Sequence, residues 1–327
     1  MVSMRDIAKI TGLSIATISR YMNHSGYVSE EASLRIQKAL EETDYIPNRN
    51  AHALLTKRSG TIGLLVPSLV NPYFAYMATR IGNRIQKDQR GCILGFTEDN
   101  AKKEKRAMEM FMGYRVDGII IVRAVEPTLW QALDVPIVSF ESHIGPQIIT
   151  VTADNVRGGR QAFRHLLEKG CRRFIHVRGP RWFTALAERE TGFVEAATEA
   201  GKEVLFIQLE GDYQVDVSLD ERRIDFSFQR GDGVFVFNDV NALSVMQAIK
   251  SQGLSVPEDV KVMGFDNNIA SQFYNPSLTT VDQKVVETSN LCYELLDQLI
   301  ADPSLDKRTR VVPVDLLERH STAGVFA

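Results

Sequence analysis

Hydrophobic and polar positions follow two different periods along the chain, and the change falls near Thr61. Before this point, short segments carry apolar residues at helical spacing. After it, apolar runs of four to six residues recur at intervals with helical patterns between them. The pattern predicts a small unit of short helices followed by a larger α/β unit with parallel sheets.

Serine residues mark the starts of the first three predicted helices. Ser3, with Asp6 three residues later, fits a capping box, and Ser14 and Ser29 precede the next two helical patterns. Gly12 suits the end of the first helix because glycine adopts the left-handed conformation without strain. The third helix is expected to turn five apolar residues inward: Ala32, Leu34, Ile36, Ala39 and Leu40.

Eight apolar runs in the larger unit are predicted strands. They are IGLLV at 62, CILGF at 92, GIIIV at 118, PIVSF at 136, RFIHV at 173, VLFIQ at 204, GVFVF at 233 and VKVMGF at 260. Continuous apolar runs indicate strands that are buried on both faces, as in parallel sheets. Eight strands are too many for one small sheet, so two lobes are expected.

The first two helices have the spacing of a helix-turn-helix. Ala8 allows close crossing, Gly12 makes the turn, and Ile18 locks the second helix from inside. The outward face of the second helix then carries Ile15, Ala16, Ser19 and Arg20.

The residue types on this face suit duplex DNA. Arg20 can donate two hydrogen bonds to guanine O6 and N7, while Ile15 and Ala16 can lie against thymine methyl groups. Phosphate contacts are expected from Ser14, Thr17 and Asn23. The alternative is a plain helical hairpin with a solvated arginine, and the spacing favours DNA binding over it.

Charge and composition narrow the class of protein. The 327 residues carry a net charge of -3, whereas residues 1–58 hold eight Lys/Arg and six Asp/Glu, which leaves the remainder at -5. A mildly basic head on an acidic body suits a partner such as DNA. No apolar run approaches the ~20 residues of a membrane span. Near the start, charged residues stand where a signal peptide would carry an apolar segment. We therefore expect a cytoplasmic, nucleoid-associated protein without a membrane partner.

Neither a metal site nor an active site is expected. Cys92, Cys171 and Cys292 have no metal-ligand spacing, and we expect them to be reduced core residues. The sequence contains no G-x-S-x-G, P-loop, H-E-x-x-H or C-x-x-C pattern, which argues against an enzyme and against a cofactor. A periplasmic sugar-binding protein is disfavoured by the missing signal peptide and the added head.

Longer motifs identify a family resemblance. The segment MRDIAKITGLSIATISRYMNHSGYVSEEASLRIQKALEETDYIPNRNAHALLTKRSGTIGLLVP resembles the head, hinge and first core strand of the LacI/GalR family of bacterial transcription regulators. The resemblance continues through NPYF at 71, RVDGIII at 115, VTADNVRGGRQAFRHLLEKGCRRFIHVRGP at 151, ND at 238, VPEDVKVMGFDN at 256, LTTVDQ at 278 and ERHST at 318. It spans nearly the whole chain.

The resemblance implies an α/β fold of three parts. Residues 1–46 form an all-α helix-turn-helix head, residues 47–60 form a hinge helix and linker, and residues 61–327 form the core. The core is periplasmic-binding-protein-like, with two doubly wound lobes and three crossovers, and it binds the effector and pairs two chains. Leu54 matches a hinge leucine that enters the minor groove. No heptad tail follows ERHST, so we expect a homodimer.

The same resemblance predicts an effector cleft at the carboxyl ends of the strands. The candidate residues are Tyr73, Phe74, Glu141, Arg189, Tyr213, Asn238, Asp266 and Gln283. Arg189 and Tyr213 match the family's ligand-binding arginine and its aromatic lid, while Glu141 stands where many sugar-responsive members carry an aspartate. Each residue could instead be an ordinary surface or hinge polar group. Carboxylates and amides beside aromatic rings favour a neutral polyol such as a sugar, and a purine is the alternative.

The expected function is a repressor of carbohydrate-utilisation genes that a sugar releases from its operator. The alternative is a purine or other corepressor that tightens operator binding. Two segments near the cleft depart from the family pattern: Val125 to Pro136 is short, and DYQVDVSLDERRIDFS is irregular. Effector identity therefore cannot be transferred from a single relative.

Overall fold

The computed structural model describes residues 2–23, 26–43, 45, 58–209 and 224–323. The chain divides into two compact units, Met1–Ser59 and Gly60–Ala327, called here the head and the core. Leu54, most of the predicted hinge and Tyr213 lie outside the described residues.

Three helices form the described part of the head: α1 (Met4–Thr11), α2 (Ile15–Asn23) and α3 (Glu30–Thr43). The capping box of α1 is present, because the Asp6 N–H donates to Ser3 Oγ at 3.3 Å and the Ser3 N–H donates to Asp6 Oδ2 at 3.0 Å. Gly12 follows α1 with φ 69°, the left-handed conformation that the sequence predicts. The Ala32 N–H donates to Ser29 Oγ at the start of α3.

The head has a small apolar centre in which Ile7, Ile18 and Ile36 are fully buried. The prediction for Leu34 is wrong, since this side chain is 64% exposed. At about 100° per residue, position 34 lies roughly 200° from positions 32 and 36 and therefore points away from the buried stripe.

The core begins with eight elements: β1 (Thr61–Val66), α4 (Pro72–Lys87), β2 (Gly91–Phe96), α5 (Ala101–Gly113), β3 (Gly118–Ile121), α6 (Pro127–Gln131), β4 (Ile137–Phe140) and β5 (Ile149–Ala153). The next elements are α7 (Asn155–Glu168), β6 (Arg173–Arg178), α8 (Thr184–Glu199), β7 (Val204–Gln208), β8 (Asp232–Val236), α9 (Asp239–Ser251), β9 (Val260–Phe265) and β10 (Thr279–Asp282). A 3₁₀ turn, Ile269–Gln272, precedes β10. The described core ends with α10 (Val285–Ala301), β11 (Arg310–Val312), β12 (Asp315–Leu317) and α11 (His320–Ala323).

These strands form two six-stranded sheets, one in each lobe. Lobe 1 has the strand order β11-β5-β4-β3-β1-β2, and lobe 2 has the order β12-β10-β9-β8-β6-β7. All pairs are parallel except β10 with β12. The chain passes between lobes after β5, after β10 and between β11 and β12. The expected α/β fold, with a helical head and two doubly wound lobes, is confirmed.

All eight predicted strands are present, but β2 and β7 are not buried on both faces as expected. Both are edge strands, which have a neighbouring strand on one side only. Cys92 lies on β2 and is exposed, so the expectation that all three cysteines belong to the core is wrong for this residue. Cys171 and Cys292 are buried as predicted.

Two further expectations concern helices. The short segment between β3 and β4 holds only the five residues of α6, in agreement with the predicted trimming. Among the described residues, no helix combines the length and the apolar character needed to cross a membrane.

Candidate functional site

The outward face of α2 is built from residues near its first turn. Ser14 begins this helix: its Oγ accepts the Thr17 N–H at 3.1 Å, and the two hydroxyl oxygens lie 2.9 Å apart. Both polar side chains are therefore held in place at the helix start. Ile18 points inward with no exposed surface, which fixes the rotation of α2.

At about 100° per residue, Ala16 and Arg20 lie roughly 200° from the buried Ile18, whereas Ile15 and Ser19 lie roughly 60° and 100° from it. Ile15 is 46% exposed, Ala16 and Arg20 are exposed, and Ser19 is half-buried. Arg20 forms no ion pair with any described acidic residue, so its guanidinium is available to an outside partner. Asn23 is the last residue of α2, and its side chain lies outside the described part of the chain.

The predicted effector residues meet in one cavity between the two lobes of the core. This cavity is narrow, with a volume of about 30 Å³. Its lining includes every described candidate: Tyr73, Phe74, Glu141, Arg189, Asn238, Asp266 and Gln283. Polar residues that follow the carboxyl ends of strands were expected to share a cleft, an expectation called here the strand-end rule. The side chains that meet in this cavity come from positions up to 210 residues apart in sequence.

Arg189 lies at the centre of the hydrogen bonds in this cavity. It projects from α8, is 3% exposed, and its guanidinium carbon lies 3.7 Å from the centre of the Phe265 ring. Its Nε donates to Asn155 Oδ1 at 2.9 Å and its Nη1 donates to the Phe237 carbonyl at 2.7 Å. The side chain is thus fixed by neutral partners, and its charge remains to be balanced by carboxylates.

Glu141 approaches Arg189 from lobe 1. Its Oε2 lies 3.9 Å from Arg189 Nη2 and accepts a hydrogen bond from Asn155 Nδ2 at 3.0 Å. Asn155 therefore bridges the carboxylate and the guanidinium. Burial raises the pKa of Glu141, although Arg189 acts against this shift. Glu141 also has φ 56°, a strained conformation for a residue with a side chain.

Asp266 faces Arg189 from the end of β9. Its Oδ1 lies 3.5 Å from Arg189 Nη1 and also accepts from Gln283 Nε2. Its backbone is strained at φ 122°. Burial raises the pKa of Asp266 well above its usual value, and the charge of nearby Asp239 raises it further. The cavity therefore holds strained, desolvated carboxylates around one arginine, an arrangement typical of binding sites.

Unused hydrogen-bonding atoms also lie in the cavity wall. Tyr73 Oη and Gln283 Oε1 are buried and have no hydrogen-bond partner among the described residues. Burial raises the pKa of the Tyr73 hydroxyl well above its ordinary value, so it remains a neutral donor. Together with the carboxylates, these atoms offer both donors and acceptors to a ligand rich in hydroxyl groups.

Some predicted residues also serve the fold. Asn238 caps α9, since its Oδ1 accepts the Asn241 N–H at 2.9 Å.

Sequence reasoning missed Asn71, Arg123 and Phe183, which line the same cavity. Arg123 was within reach of the strand-end rule because it follows β3 almost directly. No cluster of described residues is suited to hold a metal ion.

An exposed helix-turn-helix face and a polar cleft in a two-lobed core define a DNA-binding regulator that responds to a small molecule. The matching family models agree: Bacterial regulatory proteins, lacI family, over residues 3–48, and Periplasmic binding protein-like domain over residues 163–322. The chain belongs to the lacI family of bacterial regulatory proteins. The predicted family and its DNA-binding regulatory role are confirmed.

Relatives extend along the whole chain. A ribose operon repressor of Halalkalibacterium halodurans is 32% identical over 99% of this chain and 98% of its own length. A LacI transcriptional regulator of Alkaliphilus metalliredigens complexed with D-xylulofuranose is 36% identical, with a TM-score of 0.73 over 81% of this chain and all of its own. The lac repressor dimer bound to operator and an anti-inducer is 25% identical, with a TM-score of 0.83 over 98% and 99%.

Proposed function

We propose that this protein is a homodimeric repressor of carbohydrate-utilisation genes and that a neutral monosaccharide releases it from its operator. It acts by binding alone, in the cytoplasm and at the nucleoid. The observation that carries the effector half of the proposal is the convergence of seven predicted side chains on one cavity between the lobes.

The DNA half of the proposal rests on the exposed face of α2. Arg20 is free of described ion-pair partners and is the candidate for a bidentate guanine contact. Ile15 and Ala16 present apolar surface suited to thymine methyl groups, and Ser14, Thr17 and Ser19 supply hydroxyls. Asn23 and Leu54 keep their predicted roles at phosphate and in the minor groove. Two such faces would read the two half-sites of a pseudo-palindromic operator.

The effector half is supported by the chemistry of the cavity. To a ligand, the carboxylates of Glu141 and Asp266 and the free Gln283 Oε1 offer acceptors, whereas Tyr73 Oη and Arg189 offer donors. A sugar presents hydroxyl groups that are both donors and acceptors, and its C–H faces suit the rings of Phe74 and Phe183. Relatives named for ribose operons and solved with D-xylulofuranose favour a pentose. Tyr213 remains the predicted aromatic lid.

A thermal-shift screen tests the effector class. D-ribose, D-xylulose, their 5-phosphates, hypoxanthine and guanine are each added to the full-length protein. A ligand that binds only the folded state raises the midpoint of unfolding by mass action. We expect the free pentoses to raise it. If only a purine raises the midpoint, the effector is a purine and not a sugar. Operator titration would then decide whether the purine tightens DNA binding.

The dimer is tested separately by sedimentation equilibrium of the full-length chain at micromolar concentration. One chain has a mass of 36.7 kDa, and we expect twice this mass. A single-chain mass at these concentrations would contradict the paired-head reading of the operator.

A further inference from the structure

Arg123 is a buried cation in the effector cleft that the established family role does not explain. It follows β3 of lobe 1, lines the cavity and is only 2% exposed. Its Nη2 donates to Asp99 Oδ2 at 2.6 Å. Asp99 also belongs to lobe 1, in the turn between β2 and α5. This ion pair holds the guanidinium in place on its own lobe.

The aromatic neighbours of Arg123 come from both lobes. Its guanidinium carbon lies 4.8 Å from the centre of the Phe183 ring, 5.6 Å from Trp182 and 5.8 Å from Phe74. Phe74 lies on α4 of lobe 1. Trp182 and Phe183 lie between β6 and α8 of lobe 2. Opening the cleft would keep the contacts to Asp99 and Phe74 but would remove the guanidinium from the two lobe 2 rings.

We propose that Arg123 is a positioning residue that latches the two lobes over the effector cleft, with Asp99 as its anchor and Trp182 and Phe183 as its receiving surface. The planar guanidinium can be hydrogen-bonded at one edge and stacked on aromatic faces at the same time. A lysine ammonium keeps the charge but loses this geometry. The contact between lobes thus depends on an arginine at position 123.

Trp182 makes the latch separable from ligand contact. This side chain is 53% exposed and does not line the cavity, whereas Phe183 does. Replacing Trp182 therefore weakens the contact between lobes without removing a wall of the binding site. Its partial exposure also makes Trp182→Ala a safe change for the fold.

A matched control lies within lobe 2. Arg173 pairs with Asp232 at 2.7 Å, and its guanidinium carbon lies 5.4 Å from the centre of the Phe226 ring. The chemistry is that of Arg123, but all three residues belong to one lobe. Arg173→Met removes a carboxylate-anchored arginine from an aromatic ring without touching the cleft.

The direct test measures the distance between the lobes in the ligand-free, full-length protein. Spin labels are attached to Glu109→Cys on α5 and Lys202→Cys after α8, both at exposed positions, in a Cys92→Ser background. Labelled chains are diluted with unlabelled chains so that pairs within one protomer dominate. Electron-electron double resonance then gives the distribution of distances.

We expect Arg123→Met and Trp182→Ala each to broaden this distribution towards longer distances, with the larger shift in Arg123→Met. Arg173→Met is expected to match the unchanged sequence. A wild-type distribution in either latch variant overturns the proposal. Trp182→Ala decides the question even where Arg123→Met fails to fold.

A second measurement links the latch to the effector, and this part rests on the proposed function. Calorimetric titration with D-ribose is expected to give a Kd roughly 3- to 30-fold weaker in Trp182→Ala, the range expected for loss of one cation–π contact. Arg173→Met is expected to leave the Kd unchanged. An unchanged Kd in Trp182→Ala contradicts a role in effector binding. Absence of D-ribose binding by the wild type contradicts the proposed effector instead, while the distances between labels still decide the latch.

Discussion

The outward face of α2, which is proposed to contact base edges and is called here the reading face, differs from the cleft of the core in how its polar side chains are placed. On α2, Arg20 and Ala16 are exposed, and Arg20 contacts no described acidic partner. In the cleft, Arg189 and Asp266 are 3% and 4% exposed and are bonded to their neighbours. The head presents Arg20 to water without a described ion-pair partner, whereas the core holds Arg189 and Asp266 paired and desolvated.

This difference decides how substitutions act. A group on the reading face can be removed at little cost to the fold, because water already solvates it. A group in the cleft supports its neighbours, so its removal leaves a buried charge or an unpaired hydrogen-bonding atom. Effects on the head should therefore separate into folding and DNA binding, while effects in the cleft should be coupled.

The largest effect is expected from Ile18→Ala, which destabilises the buried centre of the head and leaves its exposed surface unchanged. Truncating a fully buried isoleucine costs about 2–5 kcal/mol, and the described part of the head centre has three such isoleucines. We expect operator binding to be lost and the thermal unfolding of the core to be unchanged. Calorimetry and operator titration measure the two parts. A core transition that falls together with operator binding would contradict independent folding of the head.

Asp266→Ala is expected to remove the response to a D-ribose concentration that just saturates the wild type, while operator binding persists. Removing a charged hydrogen-bond acceptor costs about 1.5–3 kcal/mol, which corresponds to a sugar Kd roughly 10- to 150-fold weaker. Isothermal titration with D-ribose measures this change. Asp306→Ala removes an exposed carboxylate that pairs with Arg308 and serves as the control. If Asp266→Ala binds the sugar as well as the control does, the cleft is not the effector site.

Arg20→Ala is expected to weaken specific operator binding without changing stability. The loss of one bidentate base contact costs about 1–3 kcal/mol, so the operator Kd should rise roughly 5- to 150-fold. Arg35→Ala is the matched control, because Arg35 is also exposed on the head and pairs only weakly with Glu31 at 3.9 Å. Fluorescence anisotropy with operator and scrambled duplexes measures both. Equal losses in the two variants would contradict a base-reading role for Arg20.

A fourth prediction concerns the pH dependence of stability and Asp239, which lies behind the cleft. Burial raises the pKa of Asp239 to about 7, despite hydrogen bonds from Thr280 Oγ1 and the Asn268 N–H. The folded core therefore holds a proton that the unfolded chain releases near pH 4, and this contribution to stability is lost as pH rises from about 4 to 7. Asp239→Asn should remove this dependence, so its stability relative to wild type should increase across that window. Urea unfolding at pH 5 and pH 8 measures the free energy of unfolding of both proteins. The same difference between Asp239→Asn and the wild type at both pH values would contradict the raised pKa.

Local signals explain why the orientation of α2 was predictable. Helix periodicity, the serine caps and Gly12 together fix which side of α2 faces outward, and none depends on distant parts of the chain. In the cleft, the family resemblance and the strand-end rule supplied seven residues. The contacts between those residues were not predictable, because they depend on how two lobes meet.

Four of the twelve described strands were not predicted, namely β5, β10, β11 and β12, and two of these have a physical explanation. β5 and β10 are rich in threonine and so escape a search for apolar runs, yet Thr150, Thr279 and Thr280 are at most 2% exposed. Their hydroxyls are paired with neighbouring strands and helices; Thr280 Oγ1, for example, donates to Asp239 at the start of α9. Burial of a β-branched polar residue requires a partner that the linear sequence does not reveal.

The central claim is that occupancy of the cleft controls the reading face of the head. Its most direct test is an operator titration of the full-length protein with and without saturating D-ribose, using a duplex selected from a random library. We predict that the sugar raises the operator Kd about 5- to 150-fold in the wild type, the scale of an allosteric coupling of 1–3 kcal/mol, and leaves it unchanged in Asp266→Ala. An unchanged operator Kd in the wild type, while calorimetry records bound D-ribose, would contradict the account.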